Sequence, residues 1–311
     1  MIEWLADDNG ILLRRDVIAS GCEDKDIARA VRGGRLIRLR QGAYSLRNVW
    51  EQADPGGRHR LLSTAVRQQY GDGVALSHTS GHLEYAGPDW GLDLTSAHLT
   101  HLDGVGGRRA AKVIHHHGVC IADDITRDDV GWRTAPTRTA LDTASLAPRD
   151  PAVAVLDWYL NQGLTTPELL QQTFERMTSW PNTLALQIVL RLADGLAESV
   201  AETRARLLFM DQRIPRPVSQ FEVFRPDGRL GGRVDFAWPE RRTLLEVDGA
   251  VKYHRLRRPG ESIEEMVMRE KAREDLLREL TGWTLIRLIW ADLARPRTTA
   301  ERILRAFQMA A

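Results

Sequence analysis

The chain has 311 residues, 27% of them charged and 43% apolar, with a formal net charge of +1. That length suits two or three globular domains, and a near-zero net charge excludes a whole-surface attraction for polyanions, so any nucleic-acid surface has to be a local patch. Cys22 and Cys120 match no metal-ligand spacing, the start "MIEWLADDNG" lacks a basic and apolar leader, and no run reaches membrane-spanning length; a soluble, cytoplasmic protein with no membrane partner is expected.

Residues 1–50 read as short helices followed by a basic hairpin. Arg14 to Ser20 suits a helix stopped by Gly21. Glu23 or Asp24 can cap a second helix with Ile27, Ala30 and Val31 on one face, ended by Gly33 and Gly34. "RLIRLRQGAYSL" then alternates apolar residues with arginines, and Gly42 permits a tight turn between two strands. Helix, turn, helix and a two-stranded wing make a winged helix. From Ala28 to Trp50 there are six arginines and no acid. Arg29 and Arg32 fall on the exposed helix face, and Arg35, Arg38 and Arg40 line the wing. Arginine forks bind phosphates and read guanine edges, so DNA is the expected partner of this surface; the plainer alternative is a solvated basic face.

"EQADPGGRHR" at 51–60 reads as a linker or loop, because Pro55, Gly56 and Gly57 break both periodicities. Residues 58–195 mix helix and strand patterns. "HHHGVC" (115–120) follows "AAKVI" and reads as a strand with alternating histidines at a surface or interface. Neighbours on a strand point to opposite faces, so the three cannot share one ion, and a structural role outweighs a metal site. "DGVGGRRAAK" (103–112) lacks the frame of a phosphate loop and reads as a basic hairpin tip at Arg108, Arg109 and Lys112. In "TRTALDTA", Thr137 can cap a helix whose Leu141 and Ala144 face inward.

"LLRRDVIASGCEDKDIARAVRGGRLIRLRQGAYSL", with "ALSHTSGHLEYAG" (75–87) and "TAPTRTALDTASL" (134–146), resembles the AbiEi-type antitoxins, winged-helix repressors of type IV toxin–antitoxin systems acting against phage. The resemblance covers residues 1 to about 150. It implies DNA binding and a cognate toxin as a second partner.

From residue 196 the order reads helix, hairpin, crossing helix, strand, helix. "GRVDFAW" (232–238) and "RTLLEVDG" (242–249) form the hairpin. Glu246 and Asp248 share a strand face, and a suitable register adds Asp235. Crowded carboxylates need a cation among them. Mg²⁺ or Mn²⁺ is the expected cofactor, held by Asp235, Glu246 and Asp248, with Lys252 orienting water for phosphodiester hydrolysis. The alternative pairs Asp235 with Arg233 or Arg241 and leaves Glu246 and Asp248 facing solvent. Arg287, in the apolar run "WTLIRLIWADL", needs an acidic or phosphate partner.

"RVDFAWPERRTLLEVDGAVKYH" and "REDLLRELTGWTLIRLIWADL" resemble the PD-(D/E)XK nuclease superfamily, in the branch of the very-short-patch-repair endonuclease. The resemblance implies that Asp235 is the metal-binding aspartate, Glu246 the acid of the E-x-K element and Glu202 the helix glutamate that joins the site. Asp248 departs from the motif by standing where its lysine would be. Three readings stay open: the lysine has migrated to Lys252 or Lys271, Asp248 is an extra ligand, or the site has decayed.

The expected architecture is thus α+β and multidomain: a winged helix (1–50), a mixed α/β middle domain (58–195) and a PD-(D/E)XK-like α/β core with a mixed central sheet (196–311). The leading functional expectation is a metal-dependent DNA endonuclease in phage or plasmid defence. The alternative is a non-catalytic repressor or antitoxin whose nuclease-like fold serves binding or dimerisation. A homodimer is left open by the sequence.

Overall fold

A computed structural model describes residues 2–102, 109–116, 120–177, 183–248 and 261–309. The chain forms two compact units, Met1–Ala193 and Asp194–Ala311. Its class is mixed α/β, as the sequence leads one to expect.

The first unit opens with a short strand β1 (Ile11–Leu13) and two helices, α1 (Arg14–Ala19) and α2 (Asp24–Arg32). Helix α2 starts on a capping box. The Asp26 carboxylate accepts the Glu23 backbone N–H at 3.0 Å, and the Asp26 N–H turns back to the Glu23 carbonyl at 2.9 Å. Strands β2 (Leu36–Arg40) and β3 (Ala43–Leu46) form the expected hairpin, with Gly42 at φ +76°. β1, which the sequence reading did not anticipate, pairs antiparallel with β3 to give the order β1-β3-β2.

Residues 51–60 differ from the predicted loop. After α3 (Arg47–Gln52), helix α4 runs Pro55–Tyr70. Asp54 is its N-cap, accepting the Gly57 N–H at 2.6 Å. Proline is tolerated in the first turn, where its missing N–H would have had no intrahelical partner. Helix α4 ties the N-terminal sheet to the rest of the unit. Ile11, Leu13, Leu39 and Ala43 share one core with Leu62, Ala65 and Val66 of α4 and with Val74, Leu76, Ala97, Leu99 and Val113 of a second sheet.

That second sheet holds β4 (Val74–Leu76), β5 (Ala97–His101), β6 (Arg109–Ala110), β7 (Val113–His116), β8 (Ile125–Asp128) and β9 (Gly131–Thr134), in the order β6-β7-β5-β4-β9-β8. Helix α5 (His78–Glu84) follows β4 directly. Helices α6 (Pro136–Leu146), α7 (Arg149–Asn161), α8 (Pro167–Arg176) and α9 (Thr183–Leu192) complete the unit. Leu141 and Ala144 are buried as expected, but α6 starts at Pro136 with Ala135 as N-cap, so Thr137 lies inside the first turn.

The second unit places α10 (Val200–Asp211) ahead of a four-stranded sheet of β10 (Val218–Phe224), β11 (Leu230–Trp238), β12 (Thr243–Asp248) and β13 (Thr284–Ile289), in that spatial order. β10–β11 and β11–β12 are antiparallel, and β12–β13 is parallel. α11 (Ile263–Thr281) lies between β12 and β13 in the chain, and α12 (Pro296–Met309) ends the unit. β10 is the strand the sequence reading missed. Phe236, Trp238, Leu245, Val247, Ile286 and Leu288 fill one side of the sheet with Phe209 of α10 and Phe307 of α12. Val234, Ala237, Leu244 and Leu285 pack with Leu277 of α11 on the other. Among the described residues, no helix is long and apolar enough to cross a membrane.

Candidate functional site

The basic surface of residues 24–47 is built by α2 and the β2–β3 hairpin. Ile27 and Ala30 anchor α2 in a small core with Leu12, Val17 and Leu36. That anchoring turns Arg29 and Arg32 outward, and both are exposed. The five predicted arginines then divide. Arg32 and Arg38 are exposed, and neither makes a hydrogen bond or ion pair with the described residues. Arg29 holds Asp26 at 3.2 Å across one helical turn, a solvent-facing pair that a phosphate can displace. Arg35 is half-buried on Glu3. Arg40 donates to Gln69 Oε1 at 2.8 Å and lies over the Tyr70 ring. The hairpin therefore presents only part of its charge to a ligand.

The acidic residues of the second unit sit differently from the expected metal cluster. The β11–β12 ladder ends at the pair Phe236↔Leu245. One residue further on, Asp235 Oδ2 accepts the Val247 N–H at 2.7 Å, so the side chain continues the bonding where the backbone pairing stops. The β10–β11 register also skips Asp235, passing from Ser219↔Phe236 to Phe221↔Val234, with Gln220 at φ +51°.

Glu246 is 5% exposed and held by two arginines. Arg273 of α11 donates to Oε1, and Arg287, its register partner on β13, donates to Oε2 at 3.3 Å. Arg287 also meets Asp248 at 3.4 Å and Glu274 at 3.2 Å. This supplies the acidic partner that the sequence demanded for Arg287. Burial pulls the Arg273 guanidinium down, but Glu246 and Glu270 outweigh it and hold the group above its ordinary value. The same balance, with Asp248, Glu246 and Glu274 as the acids, raises Arg287.

Glu202 is 2% exposed and serves the start of α10. Its carboxylate accepts the Glu198 N–H at 2.9 Å, the Ser199 hydroxyl at 2.8 Å and the Gln220 side-chain amide at 2.8 Å. Ser199 caps the helix by accepting the Glu202 N–H at 3.2 Å, and the Glu202 carboxylate closes the turn from the other side. Lys252 lies outside the described residues, as does Arg108. Among the described residues, Asp235, Glu246 and Asp248 do not bring their oxygens within 4.8 Å of one another as a set. The cations of Glu246 and Asp248 are arginines of the chain itself.

The histidines of the middle segment depart from a surface strand. His115 is buried, 2% exposed, and His116 is half-buried on the opposite face of β7. His101 Nε2 lies 2.8 Å from His115 Nδ1, and the Tyr70 hydroxyl lies 3.1 Å from His115 Nε2. On the other face His98 Nδ1 lies 2.8 Å from His116 Nε2, with the His78 ring stacked on that of His116 at 3.5 Å. His117 lies outside the described residues. Deeper in the unit, burial pushes His82 down to about 4, against the opposing hydrogen bond to the Pro88 carbonyl. Burial lowers His59 as well.

Residues 11–46 are thus a helix–turn–helix segment closed by a three-stranded sheet, with arginines on the second helix and the hairpin. Residues 1–47 match the family model described as "Transcriptional regulator, AbiEi antitoxin". Over most of its length the chain is similar to two proteins of Mycobacterium tuberculosis. These are "Uncharacterized protein MT2308" of strain CDC 1551 / Oshkosh and "Uncharacterized protein Rv2248" of strain ATCC 25618 / H37Rv. Each is 29% identical over 278 residues, covering 88% of this chain and 93% of the relative.

Proposed function

We propose that this chain is a DNA-binding transcriptional regulator of the antitoxin type, in which α2 enters the DNA groove and the β2–β3 hairpin grips the backbone. The observation that carries this reading is the pair Arg32 and Arg38, exposed and unengaged on adjacent elements of the segment that matches the antitoxin regulators. Arg29 joins them by releasing Asp26, whereas Arg35 and Arg40 chiefly hold the hairpin in place through Glu3 and Gln69. A cognate toxin is the second partner that the same family description supports. In this reading the second unit is a non-catalytic scaffold, its carboxylates satisfied by Arg273 and Arg287.

Fluorescence-anisotropy titration against the DNA upstream of the chain's own gene tests the proposal. Arg32→Ala and Arg38→Ala are each expected to weaken binding at least about tenfold, the loss of one base or phosphate contact. Arg40→Ala is expected to change it less. A folded wild-type protein that binds this DNA no better than scrambled sequence sinks the proposal.

A metal-dependent endonuclease is the second reading, favoured by Asp235 and Glu246 each standing one residue beyond the last β11–β12 ladder pair. It requires Mg²⁺ or Mn²⁺ to displace Arg273 and Arg287 from Glu246, with Asp248, Lys252 and Glu202 in support. Plasmid nicking that depends on either metal and vanishes in Asp235→Ala would establish it in place of the scaffold role.

A further inference from the structure

Three histidines from separate elements of the first unit converge on one face of the second sheet. His98 and His116 share that face because β5 and β7 run parallel with His98↔Ile114 and Thr100↔His116 in register. His78 reaches them from the first residue of α5, immediately beyond β4, with its backbone at φ +49°. One ring nitrogen from each lies within 4.8 Å of the other two. His78 and His98 are 4% and 3% exposed.

The donor set is chemically selective. It contains imidazoles and no carboxylate, which suits zinc and its transition-metal neighbours and disfavours magnesium or calcium. Around it stands a polar outer shell. His78 Nδ1 lies 3.0 Å from Ser77 Oγ and 4.0 Å from Asp142 Oδ2, and the Thr100 hydroxyl donates to Ser77 Oγ at 2.8 Å. A metal-binding histidine characteristically has its second nitrogen oriented by such a hydroxyl or carboxylate. Asp142 is wholly buried and is itself held by the Arg138 guanidinium at 3.0 Å, so it orients the shell without adding net charge to it.

We propose that His78, His98 and His116 bind one divalent transition-metal ion, zinc foremost. Zinc–nitrogen bonds of about 2.0–2.1 Å set tetrahedral ligand nitrogens about 3.3 Å apart. Seating the ion therefore opens the 2.8 Å His98–His116 contact by about half an ångström and unstacks His78 from His116. Three protein nitrogens leave a four-coordinate ion one open position. None of the site's three ligands belongs to the arginine surface of α2 and the hairpin. The site links β4–α5, β5 and β7 within one sheet.

The full-length protein, stripped of metal, is titrated with Zn²⁺ by calorimetry and with Co²⁺ by visible absorption. One equivalent of Zn²⁺ per chain and the intense visible bands of tetrahedral Co²⁺ are expected. His98→Gln and His116→Gln are each expected to lose more than about a hundredfold in affinity, beyond the loss that follows removal of an outer-shell partner. His101→Gln, which alters only the pair on the opposite face, is expected to bind as the wild type does. The partly exposed His116 position keeps the test decisive if His98→Gln fails to fold. Folded wild-type protein that takes up neither metal stoichiometrically overturns the proposal. So does zinc binding that survives His116→Gln or disappears in His101→Gln.

Discussion

At the scale of single residues, burial sets how the first unit responds to acid. His59, His78 and His82 are all pushed below the ordinary histidine value of 6.5, chiefly because desolvation disfavours the charged ring. At these three rings the unfolded chain therefore binds more protons than the folded one in the window from about 6.5 down to about 4. The histidine contribution to stability is full above that window and is lost as pH falls through it, while the buried carboxyls of Asp142, raised to about 6, and Glu84, also raised, act in the opposite sense. His82 alone is expected to cost about 2 kcal/mol at pH 5. Urea unfolding of the wild type and of His82→Gln at pH 7.5 and pH 5 isolates this, and an equal loss in both on acidification contradicts it. The His82 pocket has a second constraint. A Cβ at Gly87 would lie 2.0 Å from the His82 ring, which is hydrogen-bonded to the Pro88 carbonyl and packed beside Tyr159. Gly87→Ala is expected to destabilise the unit by roughly 1–3 kcal/mol through overpacking, seen as a lower Tm.

At the scale of elements, the same residues read differently in sequence and in space. The two N-terminal helices and the hairpin were legible, since a cap, an apolar face and a turn glycine are all local signals. β1 was not, because Ile11–Leu13 is three apolar residues with no alternation, defined only by pairing with β3. The Pro55-Gly56-Gly57 triplet looks like a breaker until Asp54 is recognised as a cap. Asp54→Ala is expected to cost about 1 kcal/mol, measurable in denaturant. Glu202 stands out in the sequence as a helix glutamate, and the nuclease resemblance alone gives it a metal role. The local pattern Ser199-x-x-Glu202 is a capping signature that could have assigned it. The carboxylates of β12 were placed on the correct face, but their cations come from α11 and β13, at positions far along the chain. The histidine cluster escaped for the same reason: a run of adjacent histidines was weighed as a local motif, whereas the cluster takes one member from each of three elements. Glu246→Gln removes the charge shared by Arg273 and Arg287. Because both arginines are about one-third exposed and can recover water, the expected loss is nearer 2 kcal/mol than the full cost of breaking a buried pair.

At the scale of the whole molecule, a near-neutral chain carries an acid-free stretch, Ala28 to Trp50, with six arginines. Binding to DNA is therefore expected to weaken with salt in proportion to the few phosphates contacted. Arg38→Ala should flatten the log–log salt slope by about one if its contact is to a phosphate. A slope unchanged in this variant would assign Arg38 a role away from the backbone. The acidic and basic groups of the second unit largely neutralise one another, and Glu246→Gln should leave DNA affinity as it is. Affinity that falls with Glu246 would join the two units in one binding event.

The apolar seam beneath the hairpin carries a consequence for inheritance. Leu39 and Ala43 sit in the same core as Leu99 and Val113, so the hairpin segment is rooted in its platform rather than strung from it. Transplanting the first fifty residues onto an unrelated carrier would strip that root bare. If the segment binds DNA as proposed, a change of target is easier to reach by altering the outward arginines one at a time than by exchanging the segment entire.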